Sequence, residues 1–364
     1  LKTGTRRVYC LSPCETDRDF QCLSSITLLN STMTSNQATD ASLRRFRSLA
    51  TLTLAAVYFL ILVGASVRAS GAGMGCPDWP TCFGQWVPPT HESQLPANYQ
   101  QTYAELGYAD TRFNVVKTWT EYLNRLLGVS IGALIFLSAL VSLPLRHHNA
   151  SIAKASVAAF FMVGFQGWLG SRVVSSNLQP GMITLHMLMA LAIVATLLYA
   201  LAQSRRQMMA SQPVMAIDPS FEKWLYIVLA MTVLQVAMGT QVREMTDFIK
   251  ESQGEAMRAS WIEAMPWFFY VHRSFSALVL FTNLWLARLL VNSLGWMHAI
   301  TRLTFGMIAV IGLSVLSGAT LGHLGMPAFV QPTHLLAATL LFGLQFLIWM
   351  SFRHARDSHN HQST

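Results

Sequence analysis

The chain has 364 residues, of which 52% are hydrophobic and only 12% charged, and its mean hydropathy is +0.39. A soluble domain carries roughly a quarter charged residues, so this balance excludes an ordinary water-soluble globule and points to an integral membrane protein. The formal charge of +8 follows from the topology derived next, so a nucleic-acid-binding role has nothing further to explain.

In chain order, residues 1–47 contain no apolar run and are expected to form a disordered cytoplasmic segment, neither a cleaved signal peptide nor a span. Met33, followed by a polar stretch and the Arg44, Arg45 and Arg47 cluster, has the form of a start, so no function is placed on Cys10, Cys14 or Cys22. Apolar runs follow near 48–67, 122–143, 153–171, 182–202, 223–242, 267–292, 300–319 and 332–352. Each has about the 20 residues that a helix needs to cross a hydrocarbon core of about 30 Å. Lipid offers backbone groups no partners and the runs lack strand alternation, so the expected fold is all-α, with eight transmembrane helices.

Orientation comes from the short loops. Arg146 and Lys154, Arg205, Arg206 and Lys223, Arg288 and Arg302, and Arg353 and Arg356 mark one side, which places both termini in the cytoplasm. The segment 243–266 mixes five acids with three bases and is expected outside.

The chain repeats. Gly64-Ala65-Ser66-Val67-Arg68 and Gly239-Thr240-Gln241-Val242-Arg243 both read G-x-x-V-R, and His186 and His334 both open H-x-L-x-A. Tyr122-Leu123-Asn124-Arg125 matches Tyr270-Val271-His272-Arg273, and 62 residues separate Asn124 from His186 just as they separate His272 from His334. Two four-helix bundles, 48–202 and 223–352, are therefore expected as pseudo-symmetric copies, joined by a cytoplasmic linker 203–222 and followed by a cytoplasmic tail 353–364. The first half carries an extra external loop with Cys76-Pro77-Asp78-Trp79-Pro80-Thr81-Cys82.

His272 and His334 sit within about two turns of the outer ends of their helices, and two imidazoles at one depth on different helices can ligate a haem from both faces. A hydrogen-bonded core histidine is the alternative for any one of them. His186 holds the same position in the first half, but its partner there is Asn124, an amide and a poor iron ligand. Glu121 lies three residues before Asn124, on the same helical face, where the sixth span has Phe268-Phe269. An acid at a membrane edge is a functional candidate, with capping or interfacial placement as the alternative. Arg68, Arg125, Arg243 and Arg273 gather at the same edge, where they would pair with haem propionates or snorkel to lipid phosphate. Cys76 and Cys82 are free to form a disulfide in an oxidising compartment. C-x-x-C-H is absent, so haem would be held non-covalently, and neither a Walker motif nor a nucleophile elbow points to a pump or a hydrolase.

Gly71-Ala72-Gly73-Met74-Gly75-Cys76-Pro77-Asp78-Trp79-Pro80, Glu121-x-x-x-Arg125, Gln166-Gly167-x-Leu169-Gly170, His186, His272-Arg273 and His334 together resemble haem A synthase, over about 48–352. The resemblance implies an enzyme of the membrane that oxidises the ring methyl of haem O to the formyl of haem A for terminal oxidase biogenesis. It further implies a haem b cofactor on His272 and His334, a catalytic carboxylate at Glu121, a substrate-haem site at His186, and an external cysteine pair at Cys76 and Cys82. The family pattern Glu-x-x-His-Arg departs here to Glu121-Tyr122-Leu123-Asn124-Arg125. The alternatives are a b-type membrane cytochrome for electron transfer, and a haem carrier or assembly protein without catalysis. Expected partners are haem O, an electron donor that no flavin or iron–sulfur motif supplies, haem O synthase, oxidase assembly factors and membrane lipids. Glu15, Asp17 and Asp19 near the N-terminus are unlike an acid-free mitochondrial presequence and favour the bacterial inner membrane over the mitochondrial one.

Overall fold

The computed structural model describes residues 18–109, 111–206 and 220–362. Eight long helices dominate it: α1 (Arg18–Ala69), α2 (Val115–Ser142), α3 (Ala150–Ser175), α4 (Pro180–Ser204), α5 (Ser220–Gln253), α6 (Trp267–Leu294), α7 (Ala299–His323) and α8 (Val330–Gln362). Each contains a stretch long and apolar enough to cross a membrane, that of α1 being Thr39–Ala69. The only extended pairing among the described residues is an isolated bridge between Cys82 and Gln85.

Three helix boundaries differ from expectation. Of the segment expected to be disordered, residues 1–17 lie outside the described residues, and from Arg18 the chain is already helical; no glycine or proline interrupts it before Gly64, so the span propagates backwards. Helix α2 starts at Val115, seven residues before the apolar run, because Asn114 caps it by accepting a hydrogen bond from Lys117 N at 3.0 Å. Helix α5 runs on through the expected outside loop to Gln253, where Gly254 at φ +76° ends it. Most of the linker expected over 203–222 lies outside the described residues.

Packing sorts the helices into two sets. In the first, α1 packs on α2, α2 on α3, α3 on α4 and α4 back on α1; α5 to α8 close in the same cyclic order. Between the sets the contacts are α1–α8, α4–α5 and α4–α8, a pattern that maps onto itself when each helix is exchanged with the one four places along. The first set buries Val57, Ile131, Ile135, Val194 and Leu198, and the second Leu225, Leu286, Met307, Ile311 and Ile348. Leu191, Val236 and Phe342 join the two. Buried polar pairs are satisfied between helices, as Thr53 with Ser138 at 2.9 Å and Gln345 Nε2 to Asn283 Oδ1 at 2.9 Å.

Candidate functional site at the loop end of the bundles

The links α1–α2, α3–α4, α5–α6 and α7–α8 lie at one end, and every candidate side chain gathers there. Residues 70–109 and 111–114 form a cap over the first set, built around Phe83, which is 1% exposed. Tyr99, Tyr103, Tyr108 and Phe113 meet its ring edge-to-face at centroid distances of 5.5–6.0 Å. Cys76 and Cys82 are joined by a disulfide with Cα atoms 4.9 Å apart. The cap seats on α2 at Gly75, where a Cβ would collide with the Lys117 carbonyl and where Thr118 Oγ1 donates to the Gly75 carbonyl at 2.9 Å. Burial and the nearby Glu121 carboxylate push the Tyr108 phenol above its ordinary value, which keeps it a neutral donor to the Met74 carbonyl.

Glu121 lies beneath this cap, 4% exposed, and is the only buried carboxylate among the described residues. Its Oε2 accepts from Cys76 N at 2.8 Å, and its Oε1 accepts from Arg125 Nε at 3.1 Å and from the Arg125 Nη2. Arg125 also donates through Nη1 to the carbonyls of Asp78 at 2.6 Å and Thr81 at 3.0 Å, and through Nη2 to that of Cys76 at 3.0 Å. All five of its N–H donors are thereby engaged inside the chain, which leaves none for the propionate expected there. The sequence reading assigned Arg125 to a propionate or lipid phosphate and did not foresee that Arg125 pairs with Glu121 and holds the loop.

The histidines occupy equivalent slots. A Cβ placed on Gly170 would stand 3.5 Å from His186 Cε1, on Gly239 3.3 Å from His272 Cε1, and on Gly318 3.1 Å from His334 Cε1. In the fourth slot Gly64 faces Asn124 Oδ1 at 3.8 Å. Gly64, Gly170 and Gly318 each lie five residues before the end of their helix, whereas Gly239 lies 14 residues before the end of the extended α5. One turn before two of the glycines, Gln166 and Gln235 donate to the carbonyls of His186 and His272 at 3.0 and 3.1 Å. His334 Nδ1 lies 3.1 Å from the Ser314 carbonyl and 3.0 Å from Ser317 Oγ. A carbonyl only accepts, so Nδ1 carries the proton and Nε2 keeps its lone pair for a ligand. The repeated Q-x-x-x-G spacing in α3 and α5 was the available signal for these slots.

Arg68 and Arg243 converge on one carboxylate that the sequence did not single out: Arg68 Nη2 lies 2.8 Å from Asp247 Oδ2, and Arg243 Nη2 2.7 Å from Asp247 Oδ1. Asp247 belongs to the helical extension of α5, which explains why reading that stretch as a loop hid it. Arg273 is exposed. Across the junction of the two sets, Thr184 Oγ1 meets Thr240 Oγ1 at 2.7 Å, two residues from His186 and next to Gly239.

These residues fit a haem better than a small metal ion. Among the described residues no three His, Cys, Asp or Glu side chains cluster as a closed zinc-type donor set would. Each imidazole is pressed against a glycine, and Nδ1 of His186 and of His272 is buried without a partner, as is Asn124 Oδ1. Such orphaned groups in an apolar bundle suit a flat macrocycle with axial nitrogen ligands.

Comparison with known proteins bears on this site. The family COX15-CtaA, cytochrome oxidase assembly protein, matches residues 47–346. A haem A synthase of Shewanella oneidensis is 30% identical over 161 residues, 44% of this chain and 46% of its own. Another, of Methylobacterium radiotolerans, is 28% identical over 173 residues, 44% of this chain and 47% of its own. The match thus spans about half the length of these two relatives. With a haem A synthase of Halalkalibacterium halodurans, identity is 20% over 309 residues, 82% of this chain and 94% of the relative.

Proposed function

Because the chain belongs to the COX15-CtaA family of cytochrome oxidase assembly proteins, we propose that it is a haem A synthase, an oxidoreductase that converts the ring methyl of haem O to the formyl of haem A. The observation that carries this reading is the inequality of two otherwise matching sets: two imidazoles in the second, and one imidazole, one amide and a buried acid in the first.

His272 and His334 would hold a resident haem b, with the Ser314 carbonyl fixing the His334 tautomer. A haem held there would supply one-electron transfer between the first set and a partner protein. His186 holds and orients haem O, and the aromatic cap keeps water from it. Glu121 presents a fixed negative charge on the face of α2 that also carries Asn124, where it stabilises electron-poor character at the reacting methyl and takes up a proton at Oε2. Arg125 and Cys76 N hold that carboxylate in place beforehand, so little reorganisation accompanies the reaction. Arg68 and Arg243, neutralised in part by Asp247, face the propionate edge together with Arg273.

The reading places the protein in a bacterial inner membrane with both termini in the cytoplasm and the disulfide cap on the oxidising side. Haem O synthase supplies the substrate and oxidase assembly factors receive the product. The test is to purify the full chain from a host that makes haem O and identify the extracted haems by mass. Haem A and haem b are expected from the wild type, and Glu121→Gln is expected to lose haem A while keeping the second-set haem spectrum. Haem O retained unchanged by the wild type overturns the enzyme reading, and a full yield of haem A from Glu121→Gln overturns the role of the acid.

A further inference from the structure

Four hairpins set a glycine on one helix against a side chain on the next, and in three of them that side chain is histidine. In the fourth it is Asn124, whose buried Oδ1 has no partner. Helices α2 and α4 each pack on both α1 and α3, which sets them diagonally across the first set, as α6 and α8 stand across the second. Asn124 and His186 thus stand on diagonally placed helices of the first set, as His272 and His334 do in the second.

An amide ends nearer its own backbone than the Nε2 of an imidazole does, and its oxygen is a weak iron donor. Gly64 adds no Cβ beside that amide, so the shorter side chain would leave space between itself and a ring held by His186. A buried amide left unpaired carries a desolvation cost that the polar atom of a small ligand in that gap would remove. The amide presents an N–H donor as well as an acceptor, so it can serve either end of such a ligand.

We infer that a haem held through His186 keeps an open axial position facing Asn124, and that this position takes a small neutral ligand, a diatomic gas or water, steadied by the Asn124 amide. The inference rests on the first-set haem site proposed above. It assigns the one departure from the histidine pattern a positive role: the second set is closed to exogenous ligands by its two imidazoles, and the first is open to them.

Carbon monoxide is the probe, added to the reduced full-length protein purified with haem O. One carbon monoxide adduct per chain is expected beside an unreactive haem in the second set, whose spectrum serves as the folding control. Asn124→His is expected to lower carbon monoxide affinity at least tenfold by supplying the missing imidazole. Asn124→Leu should still bind it, with the C–O stretch moved to higher frequency because the N–H donor is gone. Two haems per chain without an adduct, an Asn124→His protein that binds carbon monoxide as the wild type does, or an unshifted stretch in Asn124→Leu overturns this inference alone. A single haem per chain that His186→Ala leaves untouched overturns the first-set haem site, and the inference with it.

Discussion

Gly318→Ala tests whether the glycine slots exist to seat imidazoles. The added Cβ would stand 3.1 Å from His334 Cε1 and 3.6 Å from its Nδ1, so the ring must shift by a few tenths of an ångström. That shift strains the contacts of Nδ1 with the Ser314 carbonyl and Ser317 Oγ, at 3.1 and 3.0 Å. Overpacking of this kind costs about 1–3 kcal/mol, and alanine in a helix interior returns up to about 1 kcal/mol over glycine. The apo fold can relieve much of this strain by moving the ring, whereas the haem-bound form cannot, so the strain falls on the imidazole that must meet the iron. At about 1.4 kcal/mol per tenfold, haem retention in the second set should weaken by roughly 5- to 150-fold. The assay is haem per chain by pyridine haemochrome, with the optical spectrum after dilution, compared with Gly322→Ala. Position 322 lies one turn further on with nothing within 4 Å of a Cβ, and that variant should behave as wild type or slightly more stable. A Gly318→Ala protein with unchanged haem content and spectrum would refute the argument that the slot positions the ligand.

Arg125→Met strands a carboxylate whose side chain is only 5% exposed; removing one partner of a buried pair costs about 3–5 kcal/mol. The melting temperature should fall clearly and recover in part in the double variant with Glu121→Leu, whereas an unchanged melt would show that the pair holds nothing. Gly75→Ala must push the cap off the Lys117 carbonyl, so limited trypsin digestion should cut faster at the exposed Arg112; protection equal to wild type would count against the seating described. Asp247→Asn removes the anion shared by Arg68 and Arg243, in a setting about a third exposed. A double-mutant cycle with Arg68→Gln should give a coupling of roughly 0.5–1 kcal/mol, and zero coupling would mean the pair is incidental.

The eight spans were legible because lipid imposes a length of apolar chain that few other constraints mimic. The ends of helices were less so. Polar residues continue α1 backwards, α2 backwards and α5 forwards, since a helix stops at a cap or a glycine and not where hydrophobicity fades. Histidine placement followed from the shared 62-residue spacing, but the glycine opposite each ring lies on another helix, where no single-segment pattern reveals it. The cap was the least legible part. Phe83 gathers Tyr99, Tyr103, Tyr108 and Phe113 without any period, and Arg125 is claimed by three carbonyls of that loop. The sequence marks an arginine at the edge, and only the fold shows where its donors go.

On the proposed reading, the difference between the sets is a difference between a cofactor and a substrate. A haem gripped by His272 and His334 must break two axial bonds to leave, and its coordination need not change when it gains or loses an electron. Both properties suit a resident carrier. A haem held by His186 alone is bound less firmly, as a substrate and its product must be if they are to exchange. Glu121 belongs to that looser site, yet it is buried, and a buried carboxylate persists only when its charge is met. Its partners are Arg125 and the backbone of Cys76, and Arg125 is itself fixed by carbonyls within the disulfide loop. The cap that covers the substrate site is therefore also what sustains the acid inside it. A change that unseats the loop should remove catalysis through Glu121 before it disturbs the haem of the second set, which lies under a separate cover formed by the end of α5 and Trp261.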